Sequence, residues 1–265
     1  MWNLVFESAP GTSHERASIP CQDRVDGRVI DTPAGPTLIV ACADGAGSAP
    51  RSEEGARLAV EAFLSAVEAD LIGGDVDLAT APESLRRGWI EASRRRILDE
   101  ADGRGMAAGE FACTFLGAVV GPDASAFVQI GDGVIVTDGP DGYEHRFWPD
   151  SGEYANSTYF LTDRGFASRV RLDLLDRPVR DLAMMTDGLQ GLALDYAGKR
   201  VFAPFFESFF EAVRSAPDGE ILRAPLAAFL VSDRVNELTD DDKTLLLASR
   251  VTRIDHDTDA PPDAV

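Results

Sequence analysis

The sequence predicts an α+β fold in which antiparallel sheet packs against amphipathic helices, and three observations carry that prediction. Short apolar runs bounded by Gly, Pro or Asp recur along the chain, several are paired at hairpin spacing, and helical periodicity is confined to two or three segments. The pairs FLGAVVGPDASAFVQI and VIVTDGPDGYEHRFW place Gly-Pro-Asp and Asp-Gly-Pro-Asp-Gly between apolar runs, which is hairpin chemistry rather than that of a doubly wound parallel sheet.

Strands are expected at Leu4–Glu7, Thr37–Ala43, Cys113–Val120, Ala126–Ile130, Val134–Thr137, Arg146–Trp148, Asp181–Thr186 and Thr244–Ser249. A first helix opens at Ser52-Glu53-Glu54, where acidic residues suit the helix N-terminus, and Val60, Leu64, Val67 and Leu71 recur on one face. A second runs from about Pro82 to Ala101, with Leu85, Trp89, Ala92 and Ile97 among Arg86, Arg87, Arg94, Arg95 and Arg96; we read the arginines as a solvated face, the other reading being a docking patch. A third, around Phe205–Arg214, is apolar on most sides and reads as buried. The stretch from Ser151 to Leu174 reads as a polar, loop-like flap. Residues 1–253 read as one domain and residues 254–265, acidic and Pro-containing, as a disordered tail.

Composition excludes whole classes. A net charge of −20, from 25 Lys+Arg against 45 Asp+Glu, opposes binding to nucleic acid or to an anionic membrane. No apolar run reaches the roughly 20 residues of a membrane span, and MWNLVFESAP lacks the basic start and apolar middle of a secretion signal, so a cytoplasmic location is expected. Three cysteines, Cys21, Cys42 and Cys113, with no C-x-x-C pair indicate reduced core residues and neither a disulfide framework nor a zinc knuckle.

The informative residues are aspartates at the ends of apolar runs. Asp23 stands in IPCQDRV, Asp44 ends TLIVACAD, Asp132 follows AFVQI, Asp187 ends LAMMTD, and Asp240–Asp242 precede TLLLAS; Gly follows Asp44, Asp132 and Asp187 at once. Each Asp-Gly taken alone is ordinary turn chemistry. Several carboxylates converging on one end of a β core would repel one another without a cation, and an all-oxygen, His-poor set suits Mg²⁺ or Mn²⁺ rather than zinc. The chain has three histidines, His14, His145 and His256, which makes a His-built centre improbable.

The ordered series QD, DGAGS, IGDG, TDGL and DDKT resembles the metal-dependent protein phosphatases of type 2C in their shorter bacterial form, over residues 9 to 250. The resemblance implies a four-layer α-β-β-α sandwich, two antiparallel sheets flanked by helices, with two metal ions, Mn²⁺ or Mg²⁺, in a cleft at the sheet ends. It implies hydrolysis of phosphoserine and phosphothreonine by a water bridging the metals, with Asp44, Asp187 and Asp241 as the catalytic set. Asp23, Asp44, the Gly45 carbonyl, Asp187 and Asp241 would serve the metals, Asp23 through water. Asp241 is preferred over Asp240 because the family's metal Asp lies three before the Thr, here Thr244. Gln22, Asp132 and Asp242 would support them from behind. The phosphate would be gripped from GTSHERASIPCQD, where Arg16 and His14 are the candidates, since a guanidinium fork suits that task. Some relatives carry His directly after Asp-Gly; this chain has Ala46. A third metal would need a carboxylate upstream of Cys113-Thr114, the nearest being Glu110. The partners implied are a phosphoprotein substrate and a Ser/Thr kinase or its targets, bound by a monomer. Two alternatives stay in view: a catalytically silent phosphoprotein-binding regulator of the same fold, and a Ca²⁺-stabilised β protein, which lacks a D-x-[DN]-x-[DN]-G loop to hold its ion.

Overall fold

A strand such as TLIVACA, apolar at nearly every position, can only be stable if both of its faces are covered. The computed structural model, which describes residues 1–73, 76–149 and 158–251, shows how this is done. In chain order its elements begin with β1 (Trp2–Ala9), α1 (Thr12–Ala17), β2 (Arg24–Thr32), β3 (Gly35–Ala43), α2 (Ser52–Gly73) and α3 (Glu83–Gly103). There follow β4 (Phe115–Val120), β5 (Ser125–Ile130), β6 (Val134–Gly139), β7 (Gly142–His145), α4 (Phe166–Arg169), β8 (Arg171–Leu175) and β9 (Asp181–Met185). The last are α5 (Gln190–Ala193), β10 (Leu194–Asp195), β11 (Arg200–Val201), α6 (Ala203–Ser215), α7 (Arg223–Leu230), α8 (Asp233–Asn236) and β12 (Lys243–Arg250).

Two five-stranded antiparallel sheets result, ordered β1-β12-β9-β6-β7 and β2-β3-β4-β5-β8, with β10-β11 as a small separate hairpin. Successive side chains of a strand point to opposite faces, and the buried clusters follow that alternation. Leu38, Val40 and Cys42 of β3 meet Leu182 and Met184 of β9 and Leu246 of β12 between the sheets. The alternate residues Ile39, Ala41 and Ala43 meet Val60, Phe63 and Leu64 of α2, and behind them Trp89 and Ile97 of α3. On the far side, Val134, Met185 and Leu247 pack on Phe206 and Phe210 of α6 and Leu226 of α7. The layers are therefore helices, sheet, sheet, helices. Fully burying a side chain such as Phe63 is worth about 1.5–3 kcal/mol, so these three interfaces supply the drive to stack.

The antiparallel architecture agrees with the sequence prediction, and the differences have local causes. The strand expected at Arg146–Trp148 lies instead at Gly142–His145, because Gly139 pairs with Gly142 across a two-residue Pro-Asp turn and the return strand starts at once, with Gly142 at φ +127°. β2 escapes the apolar pattern since only Val25 and Ile30 of its nine residues are buried. Part of the flap, 151–157, falls outside the described residues; of the remainder, Phe166–Arg169 is a short helix and Arg171–Leu175 an edge strand of the second sheet, not loop. The alternation Arg171, Leu172, Asp173, Leu174 is the signature of such an edge. α6 buries one face, Phe206, Phe210 and Val213, and leaves Phe205 and Phe209 half-covered, so it is amphipathic rather than engulfed. The arginines of α3 are not all solvated: Arg94 donates to the Leu161 carbonyl and sits over the Phe166 ring, and Arg87 donates to the Ala167 carbonyl, tying the helix to the segment before β8. Cys42 and Cys113 are buried, whereas Cys21 is only partly so. The expected tail, 254–265, lies outside the described residues. No helix among those described is long and apolar enough to cross a membrane.

One buried charge is fully answered. Asp181, at the start of β9, is completely inaccessible and accepts from Ser249 Oγ at 2.8 Å, Arg214 at 2.7 Å and Arg180 Nε at 3.1 Å. Removing one member of such a buried set strands the others. Asp181→Ala is expected to cost about 3 kcal/mol in urea unfolding; a cost below about 1 kcal/mol would show the set to be no more than a surface ion pair.

Candidate metal centre

The opposite end of the same strands gathers carboxylates. Asp44 follows β3, Asp132 sits in the β5–β6 turn, Asp187 follows β9 and opens a one-turn 3₁₀ helix, and Asp241 lies two residues before β12. All four line one cleft of about 630 Å³, together with Gln22, Gly45, Ala46, Gln190, Tyr196 and Trp148, among others. Carboxylate oxygens of Asp44, Asp132 and Asp187 approach within 4.8 Å of one another. Asp132, expected in a supporting position, stands in the cluster itself. No Lys, Arg or His is among the described residues that line the cleft.

Each aspartate is held by chemistry local to its strand end. The Thr114 hydroxyl accepts from the Asp44 backbone N–H at 3.1 Å while the Thr114 N–H donates to the Asp44 carbonyl at 2.8 Å, so the Cys113-Thr114 step pins the end of β3. Gly45 is glycine because the backbone is crowded: a Cβ there would lie 2.7 Å from the Gln22 carbonyl oxygen and 2.8 Å from Ser52 Cβ. Gly188 has the same reason in stronger form, since a Cβ would stand 2.0 Å from the Asp242 carbonyl oxygen. Asp23 is buried behind the cleft, where Thr186 Oγ1 and Thr244 Oγ1 donate to its Oδ2 at 2.8 and 2.7 Å and its Oδ1 has no hydrogen-bond partner among the described residues.

Asp242 does a different job. Its Oδ1 accepts from the Gly11 N–H at 2.7 Å and faces His14 Nδ1 at 2.8 Å, and its Oδ2 accepts from the Gln22 N–H at 2.6 Å. It thereby staples the segment before β2, which carries Gln22 and Asp23, to the start of β12. His14 is consumed by this contact, and Arg16 is exposed and donates to Thr12 Oγ1 at 2.9 Å; neither is among the residues lining the cleft. Glu110 accepts from the Ala107 N–H and faces Arg51, and it is not among the residues lining the cleft.

The electrostatics follow from crowding. Burial above all pushes the Asp187 carboxyl up to about 8, helped by the charges of Asp132, Asp241 and Asp23. Burial likewise takes Asp23 up to about 7, against the two threonine hydroxyls that favour its ionised form. Asp44 lies well above the usual carboxylate range, through burial and then the charges of Asp23, Asp187, Asp241 and Asp132; Asp132 is also raised, chiefly by burial. A site that repels its own ionised form is built for an external positive charge. Oxygen donors alone, closely spaced and with a partnerless buried Asp23 Oδ1 behind them, fit hard divalent cations.

Residues 10–231 match the sequence model of protein phosphatase 2C. The chain belongs to the protein phosphatase 2C family. Among its relatives, serine/threonine-protein phosphatase 3 of Escherichia coli K12 is 39% identical over 250 residues, covering 93% of this chain and 98% of that protein. Solved structures of the same fold include the serine/threonine phosphatase Stp1 from Staphylococcus aureus, with a TM-score of 0.63 at 16% identity over 94% of this chain and 95% of that one. The catalytic domain of the serine threonine protein phosphatase PstP, in complex with two manganese ions, gives 0.62 at 18% identity over 95% and 100%. As in its 2C relatives, the fold here is two antiparallel sheets flanked by helices.

Three groups of this 2C site are not legible from its motifs. Gln190 Nε2 donates to the Asp132 carbonyl, and Tyr196 OH donates to Gln190 Oε1, so a glutamine three residues beyond Asp187 props the β5–β6 turn. Trp148 stands edge-on to Tyr196, ring centres 5.6 Å apart, and forms an aromatic wall of the cleft. The only sequence signal for them is nearness to Asp187 and to the flap.

Proposed function

We infer that this chain is a metal-dependent protein serine/threonine phosphatase, a phosphoprotein hydrolase. The observation that carries the reading is the convergence of Asp44, Asp132, Asp187 and Asp241 on one cleft with no cationic side chain lining it among the described residues. Asp44, Asp187, Asp241 and Asp132 would hold Mn²⁺ or Mg²⁺ there, with the Gly45 carbonyl beside them and Asp23 behind. When bound, a pair of such cations supplies an activated water for in-line attack and positive charge against the phosphate.

The chain's own residues do the rest. Thr114 fixes the direction in which Asp44 points, and Thr186 and Thr244 hold Asp23 in register with both. Asp242 locks Gln22 against the cleft, where its Oε1 is buried with no hydrogen-bond partner among the described residues. Trp148, Phe160 and Tyr196 line the cleft with aromatic surface. Phosphate grip by Arg16 or His14 has no support in this arrangement, because Arg16 faces solvent and His14 is held by Asp242. The relative's name, serine/threonine-protein phosphatase, supports phosphoserine and phosphothreonine as the groups cleaved. We extend the reading to a monomer acting on a Ser/Thr kinase or its targets.

Hydrolysis of p-nitrophenyl phosphate and of a phosphothreonine peptide tests it. Turnover is expected to fall by on the order of 10³-fold in EDTA and to return with Mn²⁺ or Mg²⁺. Equal rates in EDTA would remove the cation from the mechanism, and cation binding without any turnover would leave a silent phosphoprotein binder.

A further inference from the structure

Beside the catalytic cleft lies a second depression of about 810 Å³ whose lining is mostly apolar. Its floor is a ladder of aromatic rings from two helices: Phe205 and Phe209 of α6 with centres 5.0 Å apart, and Phe209 and Phe229 of α7 at 5.1 Å. Leu192 and Phe202 also line it, and Phe202 is half exposed. The same short elements wall both spaces. Gln190 at the start of α5 lines the cleft and Leu192 of the same helix lines the groove. Tyr196, between β10 and β11, lines the cleft, while Phe202, just after β11, lines the groove.

Charge adds a second mark. Arg234 of α8 lines the groove, and its guanidinium makes no ion pair or hydrogen bond among the described residues. The chain carries 45 Asp+Glu against 25 Lys+Arg, and most of its other arginines are answered by a neighbouring carboxylate or carbonyl. An unanswered guanidinium beside an aromatic floor offers a site to an anion attached to something apolar.

We propose that this groove docks the stretch of substrate polypeptide flanking the phosphorylated residue, taking an aromatic or large aliphatic side chain on Phe205, Phe209 and Phe229 and a carboxylate on Arg234. The proposal rests on the phosphatase reading above, since it is the short wall from α5 to β11, lining the catalytic cleft at Gln190 and Tyr196 and the groove at Gly191, Leu192, Leu194 and Phe202, that makes a substrate segment the occupant. A polypeptide whose phosphate sits among the aspartates must leave the cleft over one of its walls, and the α5 to β11 wall leads into the groove. The groove therefore selects substrates by sequence context, a selection the aspartates alone do not provide.

The test uses phosphothreonine peptides in which a single Phe-Glu pair is stepped through six positions on either side, against a matched Ser-Ser series. Wild type is expected to show, at one position, a kcat/KM about tenfold above the Ser-Ser peptide, carried by KM, since tenfold corresponds to only ~1.4 kcal/mol and a buried phenyl exceeds that. That ratio is expected to collapse toward one in Phe202→Ala, and in Arg234→Glu the preference for Glu is expected to invert to Lys. Because the readout is a ratio on one protein, a variant of lower overall activity still answers. The unphosphorylated peptides, followed by fluorescence anisotropy, give the same ratio without turnover. A tenfold binding ratio with no hydrolysis of any peptide would overturn the phosphatase reading and leave the docking surface standing. Efficient hydrolysis with a flat scan would overturn the docking surface and leave the phosphatase standing. The docking surface also falls if the ratio persists in Phe202→Ala, or if sedimentation shows that Phe202→Ala dissolves a dimer while leaving the peptide ratio unchanged.

Discussion

Asp44→Asn is expected to abolish turnover and, at the same time, to make the cation-free protein more stable. The first effect follows from losing the carboxylate that Asp23, Asp187, Asp241 and Asp132 surround; a loss of ~4 kcal/mol of barrier lowering is about 10³-fold in rate. The second follows from the desolvation and mutual repulsion that raise the Asp44 carboxyl far above its ordinary range. An amide of the same shape keeps the packing and removes the like charge, so thermal unfolding in EDTA should move to higher temperature while the upward shift produced by Mn²⁺ shrinks. A residue that merely supports the fold loses activity and stability together. A drop in both for Asp44→Asn would count against the metal-centre reading.

A second large effect is the pH dependence of stability without cations. Asp187 titrates near 8 and Asp23 near 7 in the folded protein, both raised from 3.8. Between about pH 4 and 8 the folded chain therefore holds protons that the unfolded chain has released, and stability falls as pH rises through that window. The contribution is complete below pH 4, where both states are protonated, and is gone above the folded values. Thermal unfolding in EDTA should lose ground steadily from pH 6 to pH 8.5. Mn²⁺ competes with those protons and neutralises the carboxylates itself, so its stabilising shift should be larger at pH 8.5 than at pH 6. Parallel pH profiles with and without Mn²⁺ would sink this account. Asp187→Asn should flatten the EDTA profile, which separates the effect from ordinary histidine titration.

Much of this was legible before any coordinates. β3, β5, β9 and β12 are apolar runs closed by turn residues, and their burial on both faces is why the signal is strong. Asp44 and Asp187 were legible because each ends such a run, and Asp241 because it stands just before one, three residues ahead of Thr244. What the sequence concealed has a common cause, the dependence of a residue on a distant partner. Nothing local says that Asp242 reaches back to Gly11 and Gln22, 231 and 220 residues away, or that His14 is spent on that contact rather than free for phosphate. Asp132 looked like hairpin chemistry because a Gly-Asp-Gly turn is sufficient to explain it, and only the stacking of the two sheets brings its carboxylate beside Asp44 and Asp187. The edge strands β2 and β8 are half-solvated, and their mixed composition hides them.

The charge arrangement along β9 gives the molecule two unlike poles. At one, Asp181 is neutralised by Arg214 and Arg180; at the other, past Met185 at the end of this five-residue strand, the chain runs into the mutually repelling carboxylates around Asp187. Because Asp44 hangs from one sheet and Asp187 from the other, that unreconciled pole is also where the sheets meet. Cations held there would act as a removable rivet through both layers: without it the stack should breathe from that end while the Asp181 end stays shut, so that amide exchange in the cation-free protein would run as a gradient down the length of the same strands.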